Sequence, residues 1–428
     1  METCLEELVA RITAKAKLIS SSPLESNDSH PVNEYFIKPS LSAPEPVEQA
    51  RQDIIYAALE IQQLLSEPSE YLEQHQINVI FGMETTMTHN LLEYANEAVT
   101  FHAVAASANV PLSRLKSVAR MSMTGGMLTE PRPGHLAHSR VSAQFVKTPT
   151  LVDWAKFMTR YSAPTAAKFA EATDRWGDTT EKNQTAYNIA FDTDLPFFKH
   201  LTQSEERTAN FAAYMRSLGE SEGTAFKHIL TAFEWGSLGK TNIVDVGGST
   251  GQASILLATH YPELSFIVQD LPVTVANSSS ILANLDTSIS SRITFSAHDF
   301  LSPQPIAIAV TTDIFFLRKI IHDWPPKDAR IILSHISAAL QKPGACIVIM
   351  DTILPEPGSV PAMEEAGLRV RDLTMAQSFN SGERELSEWA GLIGSATPKL
   401  KLKEWKKPSG SVMGVMVVVR DEDVNSTK

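Results

Sequence analysis

The sequence predicts an α/β protein whose carboxyl-terminal part is a parallel sheet, covered by helices on both faces and closed by an antiparallel hairpin. Short apolar strands alternate with amphipathic helices after Lys240, and this alternation is typical of such sheets. Before residue 150, the order helix, turn, helix and small β-hairpin predicts a winged helix. Because a chain of 428 residues exceeds what one hydrophobic core normally supports, we expect two domains.

Residues 1–70 predict two helices joined by a mobile connection. Residues 3–18 have the pattern of a short amphipathic helix. Residues 20–48 are rich in Ser, Pro and Asn, a composition that favours a flexible linker. Between residues 46 and 67, apolar side chains recur at intervals of three or four residues, as on one face of a helix. These side chains are Ile54, Ala58, Ile61 and Leu65.

Residues 71–150 carry the winged-helix pattern. The predicted helices are residues 80–94, 100–108 and 113–123. Ser113 is of the residue type that caps a helix and stands at the start of the third one. Two extended pieces follow, at residues 127–130 and 135–140, joined by the tight turn Pro131-Arg132-Pro133-Gly134.

Residues 151–238 predict a helical link that is rich in aromatic side chains. One interpretation is that these side chains pack the helices against each other. The other is that some of them form the wall of a pocket for a flat aromatic ligand. Residues 186–198 are the best candidate for such a wall, because Pro196 and the pair Phe197-Phe198 interrupt an ordinary helix there.

Residues 239–428 alternate between strand and helix. The predicted strands are residues 242–246, 264–269, 293–297, 313–317 and 345–350. A helix is expected at residues 252–260, and Ala329, Leu333, Ile336 and Leu340 mark another. Residues 399–405 and 411–420 predict the closing hairpin, with Pro408-Ser409-Gly410 at its turn.

Composition and charge exclude several classes of protein. The net charge of −12 argues against a nucleic-acid partner, because such proteins usually carry a basic face. The two cysteines, Cys4 near the terminus and Cys346 in an apolar run, favour a reducing compartment over a disulfide framework. The acidic start of the chain differs from a basic targeting peptide, and no uninterrupted apolar run is long enough to span a membrane. We therefore expect a cytoplasmic protein of two domains.

Three of the predicted strand ends offer groups that suit a nucleoside. The segment Val244–Gly251 is a strand running into a turn of small residues, which allows a ligand to approach the backbone closely. Asp270, after the second strand, is placed to accept ribose hydroxyl groups. After the third strand, Asp299 and Phe300 are placed to hold an adenine ring. The alternative interpretation is that these acidic residues cap helices.

A candidate base follows the fourth strand, in the segment Leu317–Trp324. The pKa of a histidine side chain lies closest to neutrality, so His322 suits removal of a proton from a phenol or enol. Asp351 and Glu383 are candidates to orient it, although either could pair with an arginine instead. Those arginines are Arg318, Arg369, Arg371 and Arg384. No metal-ligand spacing is present, so we expect no metal.

The order of these motifs resembles a known family, the class I methyltransferases of the plant caffeate/flavonoid O-methyltransferase type. The closest subgroup is the fungal O-methyltransferases of secondary metabolism, and the resemblance extends over roughly residues 70–420. The motifs that carry it are Val244–Gly251, Gln269–Pro272, His298–Phe300, Leu317–Trp324 and Asp351–Pro355. It implies a Rossmann-like domain that binds S-adenosyl-L-methionine, and an N-terminal winged-helix dimerisation domain in a homodimer.

The resemblance also assigns roles by position. Gly247 and Gly248 would lie against the methionine part of the cofactor, Asp270 at the ribose, and Asp299 and Phe300 at the adenine. Leu271 would also contact the cofactor. Arg318 falls at a basic residue that contacts the cofactor. His322 falls on the general base, followed by Asp323, while Asp351 and Glu383 match the acids that frame it. Ser249 departs from the glycine common in plant enzymes, and Asp351 is shorter than the usual glutamate.

Two rival functions remain open. Some fungal relatives of this type are pericyclases, which use bound S-adenosylmethionine as a fixed cation in a dehydration or cyclisation without methyl transfer. The winged helix also permits a DNA-binding regulator, whose reading helix would carry Arg114, Lys116 and Arg120. We expect instead that this module pairs with a second subunit. The residues expected to be buried by that pairing are Val104, Leu112 and Leu115.

Overall fold

The computed structural model of this protein describes residues 2–21, 45–65, 98–148, 150–220, 222–276 and 278–421. Two compact units make up the chain. The first contains residues up to 163 together with 361–363, and the second contains the rest. The helix predicted at residues 80–94 and most of the connection predicted at 20–48 lie outside the described residues.

The first unit begins with two helices that pack on each other, α1 (Glu2–Ser20) and α2 (Glu45–Leu65). Both were predicted from the spacing of apolar residues. Their contact contains a small buried cluster of Ile19, Val47 and Ala50, with Ile54 against it. An ion pair of 2.8 Å between Lys15 Nζ and Asp53 Oδ2 also joins them.

A small antiparallel sheet with two helices follows in the same unit. Its elements are β1 (Val99–Thr100), α3 (Phe101–Ser107), α4 (Leu112–Thr124), β2 (Leu128–Arg132) and β3 (His135–His138), with strand order β1-β3-β2. Val104 and Leu115 are 0% and 1% exposed in the core between these elements. The expectation that a second subunit buries them is therefore wrong, because the unit's own core already does so.

Two local predictions in this sheet need correction. Pro111, with φ −59°, occupies the N-cap position of α4, so Ser113 lies inside the first turn and does not cap the helix. The β-turn is also shorter than expected. Pro131 and Arg132 belong to β2, where Arg132 pairs with His135, and only Pro133 and Gly134 form the turn.

Helices connect this sheet to the rest of the chain. They are α5 (Arg140–Lys147), α6 (Thr150–Phe157), a π-helical segment (Met158–Ser162), α7 (Ala163–Ala167), α8 (Phe169–Trp176), α9 (Ala186–Ala190), α10 (Phe197–Leu201) and α11 (Glu205–Glu220). Three short 3-10 helices, Glu222–Thr224, Phe226–Thr231 and Trp235–Ser237, precede the main sheet. Phe197 of α10 begins that helix directly after Pro196, as the interruption in the sequence predicted.

The second unit is built on a mixed sheet that confirms the predicted parallel order and closing hairpin. The strands are β4 (Thr241–Val246), β5 (Leu264–Asp270), β6 (Ile293–Ala297), β7 (Ile314–Arg318), β8 (Cys346–Leu354), β9 (Arg384–Glu385), β10 (Leu400–Lys406) and β11 (Met413–Arg420). Their order is β10-β11-β8-β7-β4-β5-β6, with β9 beside β8. In this sheet, β11 is antiparallel to both of its neighbours, β8 and β10. The pairings among β4 to β9 are parallel.

Helices cover both faces of this sheet because alternate strand residues point to opposite sides. Phe315 and Leu317 pack in one buried cluster, and Ile314 and Phe316 in the other. The helices that follow β4 along the chain are α12 (Gln252–His260), α13 (Pro272–Val275), α14 (Ser278–Ala283), α15 (Thr287–Ser290), α16 (Ile306–Ala309), α17 (Pro326–Ala339), α18 (Ala362–Phe379) and α19 (Leu386–Gly394). None of the helices in the described part of the chain has the length and apolar character needed to cross a bilayer.

This topology brings the carboxyl ends of β4 to β7 to a single edge. The chain leaves β4 toward β5 on one side, while β7 lies on the other side of β4. Such a reversal of strand order opens a crevice at the carboxyl ends, where α/β proteins bind ligands. The residues predicted to carry chemistry follow these strand ends.

Candidate active site

The turn after β4 passes close to its neighbours and requires glycine. Gly247 has a φ of +70°, and its N–H donates to Gln269 O of β5 at 2.8 Å. A Cβ at Gly247 would lie 2.6 Å from Ile320 Cδ1 and 3.4 Å from Phe300 Cε1. A Cβ at Gly248 would lie 2.6 Å from Asp245 Cγ. Any side chain at either position would displace the turn.

Asp270 ties this turn to the end of β5. Its Oδ2 accepts the N–H of Ser249 at 2.9 Å, and its Oδ1 accepts the N–H of Leu271 at 2.7 Å. Asp270 caps no helix, because Leu271 occupies the N-cap position of α13. The side chain of Leu271 is 48% exposed beside the carboxylate. An acceptor and an apolar surface are thus presented together at this strand end.

Asp299 and Phe300 follow β6, as predicted. Asp299 is exposed, and its Oδ1 accepts the N–H of Leu301 at 2.9 Å. The ring of Phe300 packs edge-on against Trp324, with 5.4 Å between the ring centroids. Phe300 therefore lies between the glycine turn and the segment that follows β7.

Arg318, at the end of β7, is directed away from solvent. Its guanidinium donates to Thr224 O and lies 4.4 Å from the ring centroid of Phe226. Burial lowers the pKa of Arg318 to about 10, against the attraction of Asp245 and Asp351. Its buried Nε has no hydrogen-bond partner among the described residues.

Asp245 is a functional candidate that sequence reasoning missed. It is 2% exposed in β4, and its Oδ2 accepts the hydroxyl of Ser254 in α12 at 2.7 Å. Burial raises its pKa to about 6. An acidic residue two positions before a glycine turn can be recognised in the sequence. Its contact with Ser254, nine residues later, depends on how α12 packs on the sheet.

His322 lies in the 3-10 turn Ile321–Asp323 after β7, and the loop before β9 holds this turn. Ser381 Oγ donates to His322 O at 2.6 Å and to Trp324 O at 2.7 Å. Arg384 donates to Ile321 O at 3.2 Å and to Trp324 O at 2.9 Å. Sequence reasoning assigned no role to Ser381, and it considered Arg384 only as a partner for an acid.

Three carboxylates surround the buried imidazole of His322. Nδ1 is 3.0 Å from Glu383 Oε1 and 3.4 Å from Asp351 Oδ1. Nε2 is 3.5 Å from Asp323 Oδ1. Asp351 and Glu383, the candidate acids, therefore face His322. Arg369, one of the arginines considered as their partner, pairs with Glu365 at 3.2 Å.

The position of Asp351 differs from the prediction. It was expected at the end of its strand, but β8 continues to Leu354 because Asp351 and Thr352 pair with β11. Arg318, the last residue of β7, pairs with Met350. Asp351 therefore stands just beyond the end of β7, where its side chain reaches the turn that carries His322.

The charges around His322 determine its protonation. Burial alone disfavours the imidazolium, but Asp351, Glu383 and Asp323 outweigh burial and raise the pKa of His322 to about 10. Burial raises the pKa of Asp351 to about 6, against the attraction of His322. Burial also acts to raise the pKa of Glu383, but His322 outweighs it and the pKa is lowered. Glu383 is therefore the more acidic of the two carboxyl groups opposite Nδ1.

The same side chains have a geometry that can hold a cation. One ligand atom from each of His322, Asp351 and Glu383 lies within 4.8 Å of the other two. Nδ1 and Glu383 lie at hydrogen-bonding distance, so a proton between them is sufficient to explain the arrangement without a metal ion. The expected absence of a metal stays a prediction.

Comparison with known proteins identifies the family. The model of the O-methyltransferase domain family matches residues 176–397. O-methyltransferase VdtC of Byssochlamys spectabilis is 43% identical, with 98% of each chain covered. The dual O-methyltransferase/FAD-dependent monooxygenase elcB of Phaeosphaeria nodorum is 41% identical over 97% of this chain, which spans 42% of that longer protein.

Solved structures share the fold at low sequence identity. OxaC superimposes with a TM-score of 0.76 at 19% identity, covering 98% of this chain and 99% of OxaC. LepI in complex with SAM gives a TM-score of 0.72 at 22% identity, covering 97% of this chain and 99% of LepI. The likeness extends over both units. On the family model and on identity over nearly the whole length to fungal O-methyltransferases, the chain belongs to the class I, caffeate O-methyltransferase-like family of S-adenosylmethionine-dependent O-methyltransferases.

Proposed function

We propose that this protein transfers the methyl group of S-adenosylmethionine to a hydroxyl of an aromatic or polyketide-type secondary metabolite, with His322 as the general base. The observation that carries the proposal is the pairing of Nδ1 of His322 with Glu383 at 3.0 Å, because it leaves Nε2, 3.5 Å from Asp323 Oδ1, as the nitrogen for the substrate. This imidazole follows β7, next to the strand that carries the glycine turn. Relatives that share about two fifths of their sequence are O-methyltransferases.

The residues at the strand ends fit the cofactor. The Asp270 carboxylate would accept ribose hydroxyls, and exposed Asp299 would accept the adenine amino group. Leu271 offers its exposed side chain to the adenine ring. The unpaired Nε of Arg318 is a buried donor suited to the carboxylate of the methionine part.

The cofactor supplies an electrophilic methyl group when it is bound. His322 removes the proton of the substrate hydroxyl at Nε2, and Glu383 and Asp351 stabilise the imidazolium that forms. Ser381 and Arg384 hold the backbone of the turn, so the base is fixed before the substrate arrives. The raised pKa of His322 implies that only a fraction of the protein carries the neutral base at neutral pH.

Aromatic side chains near the base suit a flat substrate. Phe379, which precedes the loop of Glu383, stacks on Phe198 with 5.4 Å between the ring centroids. Phe197 packs edge-on against the ring of Phe379, with 5.0 Å between the ring centroids. Asn380 donates to Glu181 O at 2.8 Å and to Gln184 O at 3.1 Å, so the helical link is bonded to this loop. These contacts bear out the first interpretation of the aromatic residues, that they pack helices together. That some of them form the wall of a substrate pocket stays part of the proposal.

The pericyclase alternative differs in whether the methyl group leaves the cofactor. A solved structure described as a pericyclic reaction enzyme shares the fold at 22% identity, and this likeness does not extend to its reaction. The test is incubation with methyl-labelled S-adenosylmethionine and an extract of the producing organism, with S-adenosylhomocysteine measured in parallel. Label in an extract product together with S-adenosylhomocysteine supports the transferase. Substrate consumption without either product would exclude methyl transfer.

A homodimer and a cytoplasmic location complete the proposal. The homodimer rests on the resemblance of the first unit to a dimerisation domain, and the location rests on cysteine usage. The DNA-binding alternative has little support, because Arg120 of α4 pairs with Glu130 at 3.1 Å on an acidic chain. Light scattering that gives a monomer would contradict the homodimer.

A further inference from the structure

Trp324 connects the base turn, which is the 3-10 segment Ile321–Asp323, with the residues after β6. It directly follows this turn, and its carbonyl oxygen accepts hydrogen bonds from Ser381 and Arg384. Its indole packs edge-on against Phe300 instead, with an angle of 88° between the ring planes. The side chain of Trp324 is therefore held by different groups from those that hold its backbone.

Lys182, from the helical link, contacts the same indole. Its Nζ lies 4.8 Å from the centroid of the Trp324 ring and 2.9 Å from Asp328 Oδ2, in the first turn of α17. An ammonium group over the face of an indole is attracted by the electrons of the ring. Asp328, whose side chain is only 17% exposed, gives this ammonium group a fixed second partner. The indole thus contacts a cation as well as the ring of Phe300.

The loop that carries Lys182 is fixed to the same part of the molecule. Asn380 donates to the carbonyl oxygens of Glu181 and Gln184, which stand on either side of Lys182 in the chain. Ser381, the residue after Asn380, bonds to the base turn. Two adjacent residues therefore hold the loop of Lys182 and the base turn, so the lysine is presented to Trp324 from a fixed backbone.

We propose that Lys182 is a positioning residue for the base turn and acts through the indole of Trp324. This inference deepens the proposed function and rests on it for the role of His322. Without the cation, packing on Phe300 alone would have to select the rotamer of the indole, and another rotamer would displace the turn that precedes it. Because a partly exposed ion pair contributes little to stability, Lys182 should affect the rate of methyl transfer rather than folding.

The first test separates positioning of the base from binding of the substrate. Transfer of label from S-adenosylmethionine is measured over a dilution series of the extract from the producing organism, for the wild type, Lys182→Met and Lys182→Arg. We expect the maximal rate to fall about tenfold in Lys182→Met, with the half-saturating dilution unchanged. Lys182→Arg should restore most of the rate, since a guanidinium group can also lie over an indole and pair with a carboxylate.

Lys199→Met is the matched control, because Lys199 is an exposed lysine of α10 in the same helical link. It should transfer label at the rate of the wild type. Denaturant unfolding should give similar midpoints for all these proteins, which excludes a general loss of structure. An unchanged maximal rate in Lys182→Met would overturn the proposal, and so would a loss of rate that Lys182→Arg does not restore.

A second test needs no turnover. The emission of Trp324 is obtained by subtracting the fluorescence spectrum of Trp324→Phe, once in the wild-type background and once in Lys182→Met. The maximum of this difference should shift when the ammonium group is removed, because a nearby charge changes the emission energy of an indole. Without a shift, Lys182 does not hold the indole and the proposal fails. A shift in a protein that transfers no label would show that the proposed reaction is wrong, while the contact of Lys182 with Trp324 stands.

Discussion

The cofactor edge, formed by the ends of β4 to β6, and the base pocket around His322 use acidic residues in opposite ways. At the cofactor edge, Asp270 and Asp299 retain solvent contact and bind backbone N–H groups of adjacent loops. In the base pocket, Asp351 and Glu383 are 0% and 5% exposed and face an imidazole. The acids at the cofactor edge serve as hydrogen-bond acceptors, whereas the buried acids determine the charge of the imidazole beside them. Mutations at the cofactor edge should therefore affect binding of the cofactor, and mutations in the base pocket should affect removal of the substrate proton.

The largest expected effect is in the base pocket. His322→Ala should reduce methyl transfer by roughly 10²- to 10⁴-fold, the usual contribution of a general base. Affinity for S-adenosylhomocysteine, measured by calorimetry, should not change because the imidazole faces the substrate. His260→Ala, which removes an exposed histidine at the end of α12, is the control and should keep full activity. Unchanged transfer in His322→Ala would rule out the base.

The second effect belongs to the cofactor edge. Asp270→Asn replaces an acceptor of two backbone N–H groups and should weaken binding of S-adenosylhomocysteine by roughly 10- to 100-fold. The pH dependence of transfer at saturating cofactor should stay as in the wild type. Asp286→Asn changes an exposed acid of the same unit and should leave the affinity unaltered. A changed pH profile in Asp270→Asn would contradict the prediction that the cofactor edge and the base pocket act separately.

The third effect is a shift along the pH axis. Transfer should rise with pH in the wild type, because the pKa of His322 is raised to about 10 and the neutral imidazole is the base. Glu383→Gln removes a negative charge, so the pKa falls and the rising limb moves to lower pH by roughly one unit. The maximal rate should fall as well, since a weaker base removes the proton. Glu356→Gln, an exposed control, should not move the limb.

The same pKa makes a prediction about stability. The raised pKa of His322 stabilises the folded chain fully below its ordinary value of 6.5, and this contribution is lost as the pH rises toward about 10. Denaturant unfolding should show a smaller loss of stability between neutral and alkaline pH in Glu383→Gln than in the wild type. An equal loss in both proteins would contradict the assigned charge coupling.

The last prediction is that removal of divalent metal ions has no effect on methyl transfer. Prolonged treatment with a chelator such as EDTA should leave transfer unchanged, because the pairing of Nδ1 with Glu383 requires only a proton. The measurement matters since His322, Asp351 and Glu383 could also hold a cation. Loss of activity that is restored by one divalent metal would change the interpretation of the base pocket from a proton site to a metal site.

Local patterns in the sequence predicted the sheet and the cofactor edge well. The helix at residues 252–260 and the strand at 293–297 have the predicted bounds, because apolar spacing and glycine or proline punctuation are local properties. Asp270 and the glycine turn lie together because parallel strands end at one edge. Predictions that depended on a cap or on burial by a partner were less successful. Pro111 displaced Ser113 from the cap, and the unit's own core buries Val104 and Leu115.

The sequence by itself determined which residues are available for the chemistry. They are a glycine turn after the first strand of the main sheet, acids after the second and third strands, and a histidine after the fourth strand. The tertiary structure alone decided the state of that histidine. Two of its three acidic neighbours, Asp351 and Glu383, are 29 and 61 residues away in the chain, and the register of β7 against β8 and the bonds of Ser381 bring them into contact. A pKa depends on distance and burial, which spacing in the sequence does not encode.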